Sequence, residues 1–331
     1  MTRKITIKEI AREAGTSITV VSYVLNGTRN VSPELKNRVL EVIKKYNYKK
    51  DFSASALRGK ITKLIGIIVH DFSNPLSAAI YSEIERMAHQ QGYSVLICDS
   101  ERKHNKELEY LDVLKSRNVD GVIMIPSYED NAMYKRIFDY AIPAVTIERK
   151  LKNLDCVYCD YYEAASSVVN YLYGLGHRKI AYMNREPHLF ISQERYSGYL
   201  QGLKNNSLEL INELIIDGSG FNASDGYNEF EKIMGIKIKP TAVIAYNDFL
   251  AIGLIRACID NNIKIPQEMS IIGFNNFPVD EYLYPRLSTV TLEKKKLAFN
   301  AFNLLIRRIS NYEAGLKRIK IPVSIIARET T

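Results

Sequence analysis

The chain has 331 residues, of which 46% are hydrophobic and 25% charged, as is ordinary for a globular protein of about two or three domains. No apolar run is as long as a membrane span, and the first residues, MTRKITIKEIAREAG, include no apolar signal segment, so secretion and membrane insertion are not expected. The formal charge of +8 lies near the N-terminus: residues 1–60 contain 13 Lys and Arg against 5 Asp and Glu, whereas residues 61–331 contain 32 of each. A basic segment ahead of a neutral body is expected of a protein that binds nucleic-acid phosphates.

Residues 6–26, TIKEIAREAGTSITVVSYVLN, predict two short helices joined by a tight turn. One apolar face of the first helix is formed by Ile7, Ile10, Ala11 and Ala14. Thr6 and Glu9 fit a capping box at its start, and Gly15 fits its end. The second helix buries Val21, Val24 and Leu25, which leaves an outer face of Ile18, Thr19, Ser22 and Tyr23. That small, polar face with one ring suits a DNA major groove, although an ordinary helical hairpin has the same spacing.

A third helix favours the DNA-binding interpretation, because three helices can close a small core. Ser32 is a suitable N-cap and Pro33 fits the first helical position. The apolar stripe of this helix is Leu35, Val39, Val42 and Tyr46. The linker 47–60, NYKKDFSASALRGK, follows, and Asp51 can cap one helical turn within it. So short a helix is marginal alone, and a flexible charged tether is the alternative.

From residue 61 the chain alternates β-rich runs with amphipathic helical runs. The first set of expected buried strands is LIGIIV (64–69), SVLICD (94–99), GVIMI (121–125) and PAVTI (143–147). The second set is KIAYMN (179–184), LIID (214–217), TAVIAYND (241–248) and MSIIGF (269–274). Two such blocks in series predict two doubly wound lobes of parallel sheet. Ligands of these folds bind in the cleft beyond the carboxyl ends of the strands.

The sequence carries no enzyme signature: it has no P-loop, no G-x-G-x-x-G after a strand, no G-x-S-x-G and no H-E-x-x-H. Cys156 and Cys159 form a single C-x-x-C without the second pair or nearby histidines of a zinc site. A strand through them would point their side chains to opposite faces, which favours packing thiols in a reducing cytoplasm. No cofactor and no metal are expected.

Residues 6–26 resemble the helix-turn-helix of the LacI/GalR family of bacterial transcription regulators. The matching residues are Thr6-Ile7, Ile10-Ala11, Ala14-Gly15, Ser17, Val21-Ser22 and Val24-Leu25-Asn26. Later blocks extend the resemblance almost to the C-terminus, among them VHDFSNPL (69–76), ERYSGYLQGL (194–203), PTAVIAYND (240–248) and IGFNN (272–276). The resemblance implies an α/β fold with an N-terminal three-helix helix-turn-helix head and a two-lobed core of doubly wound parallel sheets, like that of periplasmic binding proteins.

The resemblance also implies a division of the chain. The head would be residues 1–46, the hinge helix 47–60, and the effector-binding and dimerisation core 61–331. Within the core, the first lobe would be about 62–160 with 290–320, and the second 161–289 with 321–331.

For DNA binding, the resemblance implies that Ser17, Ser22 and Asn26 contact phosphates and that Ile18, Thr19 and Tyr23 contact bases, with Thr6 also at the DNA. Tyr23 stands where the family commonly has Arg or His, and one hydroxyl cannot make the bidentate contact that Arg makes with guanine. In the linker, Leu57 matches a leucine that wedges between base pairs in the minor groove, and Ala54 matches the small residue beside it. Lys50 replaces a proline that is frequent in the family.

For effector binding, Arg195 matches the family's effector-binding arginine, with a surface ion pair as the alternative. Asn247 lies at a strand end, and its neighbour Asp248 is equally suited to capping the next helix. Phe221 falls where the family has a ring that stacks on the ligand, or it is a core side chain.

Asn275 replaces the family's usual aspartate, which allows a different hydroxyl pattern or a more anionic ligand. On the facing lobe the candidates are Asp71, Phe72 and Glu148, each just after a predicted strand.

The expected function is that of a transcriptional repressor without enzymatic activity. It would act in the cytoplasm, associated with the nucleoid, as a homodimer or higher assembly. Its partners would be a pseudopalindromic operator in double-stranded DNA and a small carbohydrate effector, a sugar or sugar phosphate, with no membrane partner. The alternative is a global carbon-catabolite regulator controlled by a phosphorylated partner protein.

Overall fold

The computed structural model describes residues 5–26, 29–46, 61–126, 131–151, 153–186, 189–218 and 220–331, with the backbone alone for Asn26 and Asn131. The chain divides into two compact units, Met1–Thr62 and Lys63–Thr331. The predicted hinge helix at 47–60, with Ala54 and Leu57, lies outside the described residues.

The first unit contains the three predicted helices: α1 (Ile7–Glu13), α2 (Ile18–Asn26) and α3 (Pro33–Lys45). The capping box of α1 is confirmed, because the Glu9 carboxylate accepts from the Thr6 backbone N–H at 2.8 Å while the Thr6 hydroxyl accepts from the Glu9 N–H at 3.4 Å. Gly15 has a φ of +58°, which a glycine adopts without strain, and the chain can therefore turn sharply into α2. Ser32 stands at the N-cap of α3, but its hydroxyl makes no capping bond there.

The core of the first unit draws on all three helices. Its buried members are Ile10, Ala11, Ala14, Val21, Val39 and Val42. Tyr46, expected in the buried stripe of α3, is instead exposed. Its hydroxyl donates to the Glu13 carboxylate at 2.8 Å, and Lys45 Nζ donates to the same oxygen at 3.0 Å. This polar contact ties the end of α3 to the end of α1.

The second unit alternates strands and helices in nearly the predicted order. Its described strands are β1 (Leu64–Val69), β2 (Ser94–Asp99), β3 (Gly121–Met124), β4 (Ala144–Ile147), β5 (Asp155–Cys159), β6 (Ile180–Arg185), β7 (Ile215–Gly218), β8 (Ala242–Ile244), β9 (Ser270–Phe274), β10 (Ser288–Leu292), β11 (Arg318–Ile321) and β12 (Val323–Ile326). Its described α-helices are α4 (Pro75–Gln90), α5 (His104–Ser116), α6 (Asn131–Asp139), α7 (Tyr161–Gly174), α8 (Phe190–Asn205), α9 (Ala223–Asn228), α10 (Phe230–Gly235), α11 (Asp248–Asp260) and α12 (Lys294–Ser310).

The strands form two sheets, and each sheet is the centre of one lobe. The first has the order β11-β5-β4-β3-β1-β2 and the second β12-β10-β9-β8-β6-β7. All neighbouring strands pair in parallel except β10 and β12. Separate clusters of buried apolar side chains cover the two faces of each sheet, as a doubly wound sheet requires. The predicted fold class is therefore confirmed.

The chain passes between the two sheets at three places in the described residues: between β5 and α7, between β10 and α12, and between β11 and β12. The second passage comes slightly later than the expected boundary at 289/290, because β10 stays in the second sheet as far as Leu292. None of the helices in the described ranges has the length and hydropathy needed to cross a bilayer.

Candidate functional site

Apart from Thr6, the residues of the head that are predicted to contact DNA lie on α2 or just before it. They are Ser17, Ile18, Thr19, Ser22, Tyr23 and Asn26. Ile18 is 40% exposed, so a large apolar side chain faces outward at the start of α2. The Ser17 hydroxyl accepts a hydrogen bond from the Val20 N–H at 3.3 Å and therefore helps to cap the helix. Thr6 contributes its hydroxyl to the capping box of α1. The side chain of Asn26 lies outside the described residues.

Arg29 joins this surface and was not predicted. Its guanidinium carbon lies 5.4 Å from the centre of the Tyr23 ring, within the range of a cation–π contact. The only sequence signal for Arg29 is the general excess of basic residues in the head.

In the second unit, a cleft between the two lobes has about 720 Å³ of space, including the open solvent at its mouth. Its walls come from the segments that follow the carboxyl ends of successive strands. On the first lobe these residues include His70, Asn74, Leu76, Arg102, Pro126, Glu148 and Arg149. On the second lobe they include Tyr161, Leu189, Ile191, Arg195, Phe221, Tyr246, Asn247 and Asn275. This is the position at which parallel α/β sheets bind ligands.

Two predicted first-lobe residues, Asp71 and Phe72, are not among the described residues that line the cleft, and their contact with an effector stays a prediction. The Phe72 ring is 42% exposed and meets the edge of the Tyr81 ring on α4. Asp71 accepts from Arg102 Nη2 at 3.1 Å, so it orients a wall residue instead of forming the wall. Arg102 in turn places its guanidinium 4.1 Å from the centre of the Phe221 ring on the other lobe.

His70 lines the cleft as a neutral imidazole. Burial and the neighbouring charge of Arg102 lower its pKa to about 4. Its Nδ1 lies 3.3 Å from the backbone oxygen of Ile125, which can only accept, so Nδ1 carries the hydrogen. The other ring nitrogen, Nε2, then has a free lone pair and can accept a hydrogen bond from a ligand hydroxyl.

Glu148 lies in the wall with a φ of +70°, a conformation that residues other than glycine rarely adopt. The Tyr161 hydroxyl donates to its carboxylate. Burial raises the pKa of Glu148, while that hydrogen bond and the charge of Arg195 favour the ionised form. Its neighbour Arg149 donates through Nε to the backbone oxygen of Pro126 at 3.0 Å, which fixes the guanidinium against the wall.

Arg195 is 3% exposed and is surrounded by rings, which excludes the surface ion pair considered as its alternative. Its guanidinium carbon lies 4.3 to 4.8 Å from the ring centres of Tyr161, Tyr246 and Phe274. Nη1 donates to the backbone oxygen of Tyr246 at 2.5 Å. Nε is buried and has no hydrogen-bond partner in the described part of the chain. The wall therefore holds a donor that a ligand can satisfy.

Asn247, not Asp248, caps helix α11. Its Oδ1 accepts from the Leu250 N–H at 2.8 Å, and its Nδ2 donates to the backbone oxygen of Phe221 at 3.0 Å. Asp248 is fully buried beneath the cleft, where it accepts from the Thr289 hydroxyl at 2.5 Å. Asn247 therefore positions the Phe221 loop while it lines the cleft.

Asn275 has a φ of +108° and is 5% exposed. Its Oδ1 is buried without a hydrogen-bond partner among the described residues, as is Nε of Arg195, and both residues line the cleft. Phe221 lines the cleft beside them and meets the Tyr246 ring edge-to-face, with the ring centres 5.5 Å apart.

The four cysteines are buried and free. No group of three His, Cys, Asp or Glu side chains within the described ranges could hold a metal ion. Cys156 is buried and donates to the backbone oxygen of Arg149 at 3.1 Å, and burial raises its thiol pKa to about 11. Its burial and this hydrogen bond support the interpretation of Cys156 as a packing thiol.

Two family models match the chain. Residues 6–51 match "Bacterial regulatory proteins, lacI family", and residues 169–331 match "Periplasmic binding protein-like domain". Among curated proteins, the HTH-type transcriptional repressor PurR of Mannheimia succiniciproducens is 32% identical over 329 residues, which is 98% of each chain. The repressor of the same name from Histophilus somni is 31% identical over 98% of each chain.

Solved structures also resemble the chain over most of its length. The lac repressor dimer bound to operator and the anti-inducer ONPF has a TM-score of 0.88 at 23% identity, with 99% of each chain covered. A periplasmic binding protein/LacI transcriptional regulator from Alkaliphilus metalliredigens, complexed with D-xylulofuranose, has a TM-score of 0.71 at 29% identity. That comparison covers 81% of the present chain and 99% of the other.

Proposed function

The chain belongs to the lacI family of bacterial regulatory proteins and is a DNA-binding transcriptional repressor, not an enzyme; we propose that a small hydroxylated effector, a sugar or sugar phosphate, binds between its core lobes and controls its affinity for operator DNA. The observation that carries this proposal is a pair of buried polar atoms, on residues that line the cleft, without a hydrogen-bond partner among the described residues. Arg195 Nε offers a hydrogen and Asn275 Oδ1 offers a lone pair, and both are buried. A hydroxyl both accepts and donates, so a compound with several hydroxyls can satisfy the two together.

The remaining wall suits a sugar. Arg102, Arg149 and Arg195 supply donors, and His70 supplies an acceptor through Nε2. Leu76, Leu189, Ile191 and Phe221 supply an apolar surface for the C–H face of a sugar ring. The D-xylulofuranose complex of the Alkaliphilus metalliredigens regulator supports the same ligand class.

Calorimetric titration of the purified chain with a panel of sugars and their phosphate esters tests the effector class. At least one compound should bind, and Asn275→Ala should weaken that compound because it removes the open acceptor. If no sugar or sugar phosphate binds while a purine base binds strongly, the effector is a purine and not a carbohydrate.

We infer the following coupling between effector and DNA. The chain works in the cytoplasm as a homodimer, in which two heads read the half-sites of a pseudopalindromic operator and the segments 47–60 pair between them. Effector binding changes the closure of the lobes and thereby the spacing of these segments, so effector affinity and operator affinity are thermodynamically linked. Sedimentation of the chain with and without operator measures the assembly, and a monomer on a full operator would contradict the dimer.

The operator should depart from the usual family preference at the base pair that faces Tyr23, because a phenol does not make the fork contact of an arginine. Selection of binding sites from random duplexes measures this preference. Recovery of the common family operator without change would count against the role of Tyr23.

A further inference from the structure

Arg29 is held against the DNA-reading face of α2 by the ring of Tyr23. Its guanidinium carbon lies 5.4 Å from the ring centre, and Tyr23 is on the outward face that also carries Ile18. Arg29 itself is exposed, so its donors are accessible. The contact brings a guanidinium to a face whose own side chains, from Ile18 to Tyr23, are uncharged.

The Tyr23 ring also restrains the Arg29 side chain, which would otherwise lose more conformational freedom on binding DNA. An arginine side chain loses conformational entropy when it binds, and a contact that limits its rotamers before binding reduces that cost. An exposed cation–π contact is weak, so it favours one arrangement of the Arg29 side chain without fixing it. Tyr23 therefore supports Arg29 in addition to any base contact of its own.

The chemistry of this pair differs from that of a tyrosine alone. A phenol has one hydroxyl, whereas a guanidinium presents a planar fork of donors that fits the O6 and N7 atoms of guanine in the major groove. We propose that Arg29 is a specificity-determining residue that reads a guanine in each operator half-site, with Tyr23 as the positioning residue beneath it. The proposal rests on the proposed DNA-reading function of α2 and names the residue that supplies its guanine contact.

The test is selection of binding sites from random duplexes by the full-length chain and its variants. The wild type should enrich a guanine at one symmetric position of each half-site. Arg29→Ala should abolish the preference at that position alone and weaken the selected operator about 5- to 100-fold, the range of one lost bidentate contact. Arg29→Lys should keep the affinity for unrelated DNA but reduce the guanine preference, because an ammonium lacks the planar fork.

Arg38→Ala is the matched control. Arg38 is an exposed arginine on α3, and its replacement removes the same charge from the same unit. It should leave the selected sequence unchanged. Tyr23→Phe keeps the ring under Arg29 and should keep the guanine preference, whereas Tyr23→Ala should reduce it.

A phosphate contact is the competing explanation, and it gives a different result. In that case Arg29→Ala would weaken all duplexes equally, lower the salt dependence by about one released counterion, and leave the selected sequence as in the wild type. That outcome would overturn the inference while leaving the repressor function intact. Failure of the wild type to enrich any sequence would instead contradict the proposed function itself.

Discussion

The guanidinium carbon of Arg102 lies 4.1 Å from the centre of the Phe221 ring, so a side chain of the first lobe covers one of the second across the effector cleft. Asp71 holds Arg102 in this position through an ion pair of 3.1 Å. The Phe221 backbone is held in turn by Asn247, which caps α11. A chain of contacts beside the cleft therefore connects a loop of the first lobe with helix α11 of the second.

This contact should stabilise the arrangement of the two lobes that the structure has. Arg102→Ala and Phe221→Leu, alone and combined, should show a coupling of about 0.5–1 kcal/mol in the free energy of unfolding, the size of a cation–π contact near the surface. The cycle is measured by urea denaturation. The same cycle for Lys63 and Tyr93, whose contact of 4.1 Å lies within the first lobe, gives a reference value. If the effects of the two substitutions on the free energy of unfolding are additive, the contact between Arg102 and Phe221 does not stabilise the protein.

The positions of most cleft residues follow from the sequence, because the pattern of buried strands identifies where each strand ends. Glu148, Arg195, Phe221, Asn247 and Asn275 all line the cleft, as expected of residues near strand ends or matched by resemblance. Their contacts with an effector stay predictions. The three helices of the head likewise follow from apolar spacing and from the capping pair Thr6 and Glu9.

The sequence did not identify His70 and Arg102 as cleft residues, because the path of a loop decides which side chain faces the cleft. Arg102 reaches the wall through two consecutive left-handed residues, Glu101 at a φ of +51° and Arg102 at +58°. Neither is a glycine, so the sequence contains no sign of this turn. After β1, His70, Asn74 and Leu76 line the cleft, whereas the Asp71 carboxylate turns toward Arg102. Which loop side chain faces the cleft therefore depends on contacts between segments that are distant in the sequence.

Tyr161 connects the effector cleft with a passage between the lobes. It is the first residue of α7, directly after the chain leaves the first sheet, and its hydroxyl donates to Glu148 after β4. Tyr161→Phe should lower the free energy of unfolding by about 1–3 kcal/mol, because a buried carboxylate loses a donor. Urea denaturation measures the loss. Tyr162→Phe, at an exposed neighbouring position, should change stability by less than about 0.5 kcal/mol. Equal effects of the two changes would contradict the importance of the Glu148 bond.

Ile18 and Leu40 offer a matched pair on the head, since they are 40% and 43% exposed on α2 and α3. Ile18→Ala should weaken binding to the selected operator about 5- to 30-fold, the effect of losing apolar contact worth about 1–2 kcal/mol. Binding to unrelated duplex and its salt dependence should stay the same, because no charge is removed. Leu40→Ala should leave both affinities unchanged. Fluorescence anisotropy with the two duplexes measures them, and an equal loss for both variants would contradict base contact by Ile18.

His70 should make the stability of the chain depend on pH. Its pKa falls from 6.5 in the unfolded chain to about 4 in the folded chain, so between these values the unfolded state binds more protons. The free energy of unfolding should therefore decrease as the pH falls from about 6.5 to about 4, by up to about 3 kcal/mol from this residue. Burial raises the pKa of Asp280 to about 6, so Asp280 should make the free energy of unfolding increase as the pH falls, opposite to His70. The two effects are separated by comparing the wild type with His70→Gln, since Asp280 is present in both.

The advantage of the wild type over His70→Gln should shrink steadily as the pH is lowered through this range, and urea denaturation at pH 4.5, 5.5, 6.5 and 7.5 measures it. His89→Gln, which replaces an exposed histidine on α4, is the control for the removal of a histidine outside the cleft. The same comparison bears on the cleft, because a neutral imidazole with its hydrogen on Nδ1 is what leaves Nε2 able to accept from an effector. A difference between wild type and His70→Gln that did not change with pH would mean that His70 has the same pKa in the folded and the unfolded chain. Burial would then not hold the imidazole neutral, and the argument for an acceptor at Nε2 would fail.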